Sequence, residues 1–183
     1  MILILYSACG HDFTACISSD GRLFIWGSNS NNKLGLDSNN LTEPSPKVIE
    51  ILVSIKKVHN NNNKVSLGQN HSAAINALGE LFTWGHGYYG QLGHGDSQTI
   101  RLPKKVDLQD VKFRKVKCGS YQTVSICRKD LVYISGRGMF NLLPDSDKHK
   151  LKIEIVLFFK KRLKISNPQK EEQFRLDMEI HLW

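Results

Sequence analysis

The residues of this 183-residue chain that carry chemistry are few and poorly spaced for it. Gly85-His86-Gly87-Tyr88-Tyr89-Gly90 spells the G-x-G-x-x-G of a dinucleotide loop. That loop works only where its glycines open a helix whose N-terminal amides hold a pyrophosphate. Here they follow a short run of strand formers and precede another turn, so the spelling reads as a turn. His86 and His94 bracket the same loop, but no carboxylate or third histidine stands at supporting spacing for a metal. Cys9, Cys16, Cys118 and Cys127 include no pair two residues apart, which argues against a zinc knuckle. Without a secretion signal they read as reduced, mostly buried thiols of an intracellular protein, cytoplasmic or nuclear. The sequons Asn40-Leu41-Thr42 and Asn70-His71-Ser72 then have no bearing. With no G-x-S-x-G elbow, no H-E-x-x-H pair and no paired carboxylates, the expectation is a protein that is not an enzyme and takes no cofactor or metal.

Composition bounds what must position these residues. With 40% hydrophobic and 23% charged residues the chain can bury a core, which excludes wholesale disorder, collagen and a disulfide-dense miniprotein. Its longest apolar runs, Met1 to Tyr6 and Ile155 to Phe159, fall well short of the roughly 18 residues of a membrane span.

The organising signal is an internal repeat. Shifting the chain by about 58 residues lays Gly10, Ala15, Ile17, Gly21, Leu23, Phe24, Trp26, Gly27, Leu34 and Gly35 on Gly68, Ala73, Ile75, Gly79, Leu81, Phe82, Trp84, Gly85, Leu92 and Gly93. About 51 residues further on, Gly119, Ile126, Tyr133 and Gly136 repeat Gly68, Ile75, Phe82 and Gly85. The first spacing is longer because His59 to Lys64 reads as a polar surface-loop insertion. Each copy reads as a hairpin: Thr14–Ile17 with Arg22–Trp26, Ser72–Asn76 with Glu80–Trp84, Thr123–Cys127 with Leu131–Ser135. Gly21 and Gly79 supply the positive φ of the turn, and Asp130 replaces them in the third copy. A further strand is expected before Gly10, Gly68 and Gly119. Four strands repeating about every 50 residues predict an all-β, partial β-propeller of about three blades, near 9–59, 67–110 and 118–140 within residues 1–147.

Leu67-Gly68, His71-Ser72, Leu78-Gly79, Leu81-Phe82, Trp84-Gly85, Tyr89-Gly90-Gln91-Leu92-Gly93 and Gly95-Asp96 together resemble the repeats of the regulator of chromosome condensation family. The resemblance covers Ile2 to Gly138. The first copy departs from it with Phe13-Thr14 and Asn32-Lys33-Leu34-Gly35, the third with Gln122-Thr123 and Ser135 in place of Trp. It implies a seven-bladed ring and a structural buried imidazole at His71 that bonds backbone of the neighbouring strand, while Trp26 and Trp84, at matching positions of the repeat, read as blade-packing indoles. The chain holds fewer blades than such a ring. A fragment of a longer product is favoured over an assembling protomer or an open arc with exposed edges.

Residues 148–183 read as a non-repeat tail. Lys148, Lys150, Lys152, Lys160, Lys161, Arg162 and Lys164 face a single acid, Glu154, and Leu151, Ile153, Ile155, Leu157 and Phe159 alternate as in a strand. A basic arm for nucleic acid is the weaker reading, because aromatic residues are poorly interleaved with the lysines.

These features predict a non-catalytic protein-interaction module that presents its repeat loops. Asn29 and Lys33 in the first loop, His86, Tyr88, Tyr89 and Gln91 in the second, and Arg137 in the third are the candidate partner-binding residues. The alternative, implied by the resemblance, is guanine-nucleotide exchange on a Ran-like small GTPase. Nucleic acid and membrane are not expected partners.

Overall fold

A computed structural model describes residues 3–49 and 65–137, and the backbone of 150–155. Among these residues twelve strands form three four-stranded antiparallel sheets. The first contains β1 (Ile4–Cys9), β2 (Phe13–Ser18), β3 (Leu23–Ser28) and β4 (Thr42–Val48). The second contains β5 (Val65–Leu67), β6 (His71–Ile75), β7 (Leu81–Gly85) and β8 (Ile100–Lys105). The third contains β9 (Phe113–Cys118), β10 (Gln122–Cys127), β11 (Val132–Gly136) and β12 (Lys150–Ile155). In each sheet strands adjacent in sequence are adjacent in space.

The expected hairpins form in matching register, with Thr14 opposite Trp26, Ser72 opposite Trp84 and Thr123 opposite Ser135. Their turns are the same turn three times. The Gly21, Gly79 and Asp130 amides donate to Ser18, Asn76 and Cys127 carbonyls at 2.9–3.0 Å. Asp130 holds φ 60°, the left-handed conformation that glycine takes in the other two copies.

The fourth strands carry Pro44, Pro46 and Pro103. Proline cannot donate to a ladder, so these strands belong at a sheet edge, where they are found. The third sheet draws its outer strand from beyond residue 147. Its outer strand β12 comes from the stretch read as an unrelated tail, and pairs with β11 through Tyr133 opposite Ile155 and Ile134 opposite Glu154. The alternation of Leu151, Ile153 and Ile155 was therefore the signal of a fourth strand. The insertion at 59–64, and residues 138–147 and 156–183, lie outside the described residues.

The sheets bury one another face to face. Ala15, Ile17, Leu23 and Ile25 of the first pack with Val65, Leu67, Ala74 and Trp84 of the second. Ala73, Ile75 and Leu81, one residue out of phase, pack with Phe113, Val116, Cys118 and Tyr133 of the third. The two-residue period of a strand thus sends alternate side chains of the middle blade to opposite neighbours.

A polar clasp locks each junction. The loop after β3 offers the Lys33 carbonyl, which accepts from Ser72 Oγ at 2.7 Å and Trp84 Nε1 at 3.0 Å. One blade on, the Gln91 carbonyl accepts from Thr123 Oγ1 at 2.8 Å and Ser135 Oγ at 3.0 Å. Ser135 therefore replaces the expected tryptophan without losing the bond. The indole of Trp84 lies so close over Gly35 that a Cβ there would stand 2.5 Å from Nε1, and φ of 71° excludes most side chains as well.

His71 is fully buried, and its Nε2 lies 2.8 Å from Thr123 Oγ1. Because that hydroxyl gives its proton to the Gln91 carbonyl, it accepts one from His71, which fixes the neutral Nε2–H tautomer. The partner seen here is thus a hydroxyl of the next blade, not only the backbone expected from sequence. Burial lowers the His71 pKa from 6.5 to about 4. The unfolded chain then binds more protons between those values, so stability falls as pH drops through that window. Urea unfolding should lose roughly 2 kcal/mol from His71 between pH 7 and pH 5. His94, also lowered by burial, adds in the same direction. The His71→Gln variant should show a drop smaller by that amount, and an equal drop would remove His71 from the linkage.

Candidate interaction surface

The turns β1–β2, β5–β6 and β9–β10 and the loops that follow β3, β7 and β11 gather at one end of the three sheets. The amides of Ser28, His86 and Arg137 donate to the Asp12, Asn70 and Tyr121 carbonyls at 3.0, 2.8 and 2.9 Å, tying loop to turn identically in each blade. Gly27, Gly85 and Gly136 make this approach with φ of 111°, 97° and 104°.

Across the junction of the second and third blades this end carries an aromatic cluster. Tyr88 and Tyr89 meet edge to face at 5.2 Å, and Tyr89 meets Tyr121 the same way at 5.0 Å. His86 stacks on Tyr88 at 6.3 Å, while the Arg137 guanidinium lies 5.2 Å from the centre of the Tyr89 ring. Edge-to-face pairs of this kind contribute about 0.5–1.5 kcal/mol each beyond the area they bury. Even so, Tyr88 remains 68% exposed and Tyr121 37%. Arg137 is exposed and has no carboxylate partner among the described residues.

The loop is braced from below by Gln91. Its Oε1 accepts from the Tyr89 amide at 2.9 Å, and its Nε2 lies 3.2 Å from His86 Nδ1. The glycine-rich spelling at 85–90 is a turn, closed by the Gly90 amide on the Gly87 carbonyl at 2.7 Å, and no helix follows it among the described residues.

Of the seven residues expected to face a partner, His86, Tyr88, Tyr89 and Arg137 come together here. Asn29, Lys33 and Gln91 are buried, and their side chains brace loops. Asn29 donates to the Asn40 carbonyl at 3.0 Å and accepts from the Leu34 amide at 3.2 Å. Lys33, 1% exposed, pairs with Asp12 and lies 5.2 Å over the Phe13 ring. Partial burial would raise the Asp12 pKa, but hydrogen bonds from Lys33 and Ser28 with the Lys33 charge hold it below the ordinary carboxylate range. Tyr121 went unnoticed in the sequence. The repeat register was its signal, because it stands where Asp12 and Asn70 stand in the other copies.

Burial pushes the Cys118 thiol up to about 12, and all four cysteines are free, with Cys9 alone exposed. Among the described residues no three His, Cys, Asp or Glu side chains stand close enough to share a metal.

Three stacked four-stranded blades with a repeating clasp define this chain as part of a β-propeller. It belongs to the regulator of chromosome condensation (RCC1) repeat family, whose models match residues 20–75 and 79–126, and 63–91. The E3 ubiquitin-protein ligase HERC2 of Homo sapiens is 37% identical over 137 residues, covering 73% of this chain and 3% of that protein. Human WBSCR16 superposes with a TM-score of 0.72 at 23% identity, over 91% of this chain and 41% of that one. Prp20p of Saccharomyces cerevisiae, whose structure is described with its binding properties to Gsp1p and histones, gives 0.64 at 21% identity over 84% and 39%. The chain spans less than half of each.

The brace under the aromatic loop is open to test. Gln91→Leu keeps the clasp carbonyl but removes the acceptor of the Tyr89 amide, so hydrogen exchange over 86–90 should quicken about tenfold while β6 is unchanged. Unaltered exchange in the loop would show that Gln91 does not hold it.

Proposed function

We propose that the chain is a non-catalytic protein-interaction module of the propeller type and that the Tyr88–Tyr89–Tyr121–Arg137 surface is its contact. The observation that carries this reading is Tyr88, largely exposed on a loop whose neighbours are packed rings and a braced backbone. Tyrosine and arginine are enriched among residues that dominate protein interfaces, and a pre-organised ring loses little freedom on docking. Ligase activity belongs to HERC2 as a whole protein, of which the matching stretch is a small part.

Exchange on a Ran-like small GTPase is the second reading, favoured by the fold shared with Prp20p and its Gsp1p binding. Exchange requires a surface that stabilises the nucleotide-free GTPase more than the loaded one, not an acid or base. Three blades offer only part of such a surface. A cytoplasmic or nuclear setting fits the free cysteines. No helix among the described residues is long and apolar enough to cross a membrane.

Release of a fluorescent guanine nucleotide from a Ran-like GTPase should be unchanged by saturating protein. Binding of the chain to the partner recovered by affinity capture should weaken at least about tenfold when Tyr88 and Tyr89 are both replaced by alanine. Accelerated release would establish exchange instead, and an unaffected affinity would move the contact elsewhere.

A further inference from the structure

The outer strand of each sheet leaves the ladder at the same place. Between β3 and β4, Ile25 pairs with Lys47 and Gly27 with Glu43, so Pro44, Ser45 and Pro46 stand opposite Trp26. Between β7 and β8, Thr83 pairs with Lys104 and Gly85 with Ile100, which leaves Arg101, Leu102 and Pro103 against Trp84. Between β11 and β12, Ile134 pairs with Glu154 and Gly136 with Lys150, and residues 151–153 stand against Ser135. Extra residues on one side of a pair push that strand outward as a bulge. The bulge is thus part of the repeat, and the blades differ in what occupies it.

In the second blade the bulge is covered. Pro103 is buried, Arg101 and Leu102 are half-buried, and Arg101 bridges to Asp37 of the first blade at 3.0 Å. In the first blade every residue from Pro44 to Lys47 is exposed, on the outermost strand of its sheet. Ser45 Oγ has no hydrogen-bond partner among the described residues. The nearest carboxylate in sequence, Glu43, is buried and accepts from Ser38 Oγ at 2.9 Å and Asn40 Nδ2 at 3.1 Å. Of the 5 prolines in the chain, only Pro46 follows a serine or threonine. Pro46 keeps Ser45 out of the helical region, and neither Pro44 nor Pro46 has an amide hydrogen that could draw the bulge back into the ladder. The hydroxyl is therefore presented on a segment that is already extended, followed by a ring that only a groove making no hydrogen bond to that amide accommodates.

We propose that Ser45 is a phosphorylation site for a proline-directed protein kinase, read on the folded first blade. Ser45 Oγ attacks the γ-phosphorus of ATP, and an O–P bond forms as the bond from that phosphorus to the bridging oxygen breaks. ADP leaves, and the hydroxyl proton passes to the catalytic carboxylate of the kinase. The product carries about −1.5 to −2 charges at pH 7, beside the exposed cation of Lys47. Because Ser45 is exposed and stands outside the ladder, the added group displaces no strand pair.

Incubating the full chain with ATP and a mitogen-activated protein kinase, followed by peptide mapping in a mass spectrometer, should place a phosphate on Ser45. Ser45→Ala should remove it. Pro46→Ala keeps the acceptor and should slow its modification by at least about tenfold. A synthetic peptide of residues 41–49 calibrates presentation: the full chain should be modified at a rate within about tenfold of the peptide, since no opening of the sheet is required. A chain modified more than about a hundredfold more slowly than the peptide would overturn the proposal, because the hydroxyl would then be reached only through local unfolding. Phosphate confined to other residues, or a rate indifferent to Pro46→Ala, would overturn it as well. The phosphorylated chain should keep its thermal midpoint within about two degrees of the parent, whereas a fall of about ten degrees would show the hydroxyl to be packed into the fold and sink the reading.

Discussion

The carbonyl that each blade hands to the next is the constraint on which the rest of this structure depends. A buried carbonyl without a partner costs about 1–3 kcal/mol, so a loop that turns one toward a neighbouring blade is stable only when that blade answers with donors. The Lys33 and Gln91 carbonyls each receive two, from cross-strand residues that share one face of a hairpin. Hydrophobic burial drives the sheets together without choosing their register. The clasp supplies that choice, because the donors reach the carbonyl only when hairpin and loop are aligned.

Gln91 joins this constraint to the surface. Its main chain closes the junction between the second and third blades, and its side chain holds the Tyr89 amide and the His86 ring from beneath. Lys33 occupies the same position one blade earlier, and there the buried side chain answers Asp12 and the Phe13 ring instead. One backbone geometry thus carries two different loop contents, and only the second ends in an exposed aromatic cluster.

Much of this was legible in the sequence. The hairpins, their turns and the left-handed Asp130 follow from apolar alternation and turn chemistry, which are local. What was illegible is what depends on the neighbouring blade. Lys33 and Gln91 are polar residues on loops, and nothing in the chain alone distinguishes a loop residue that faces solvent from one that faces the next sheet. Ser135 looked like a lost tryptophan because spelling does not reveal that a hydroxyl reaches the same carbonyl as an indole. The fourth strand of the third blade was hidden for a different reason: it lies within a stretch whose lysines drew attention to charge, although it follows β11 at the same spacing as β4 follows β3. Tyr121 was recoverable from the register, since three aligned turns carry Asp12, Asn70 and Tyr121, and the outlier in such a set is the residue freed from the repeat's own bonding.

The placement of the aromatic cluster has a thermodynamic consequence. Tyr88 and Tyr89 belong to the second blade, whereas Tyr121 and Arg137 belong to the third. The surface therefore exists as a unit only while the junction beneath it is closed by Gln91, Thr123, Ser135 and His71. A partner that touches both sides binds the closed junction and not the open one, and so stabilises the very contact that creates its site. The reverse also holds: acid that protonates His71 in the opened chain weakens the junction and the surface together. Recognition on this fold is in that sense a property of the packing between blades, and a loop excised from it would keep its tyrosines while losing the arrangement that makes them a surface.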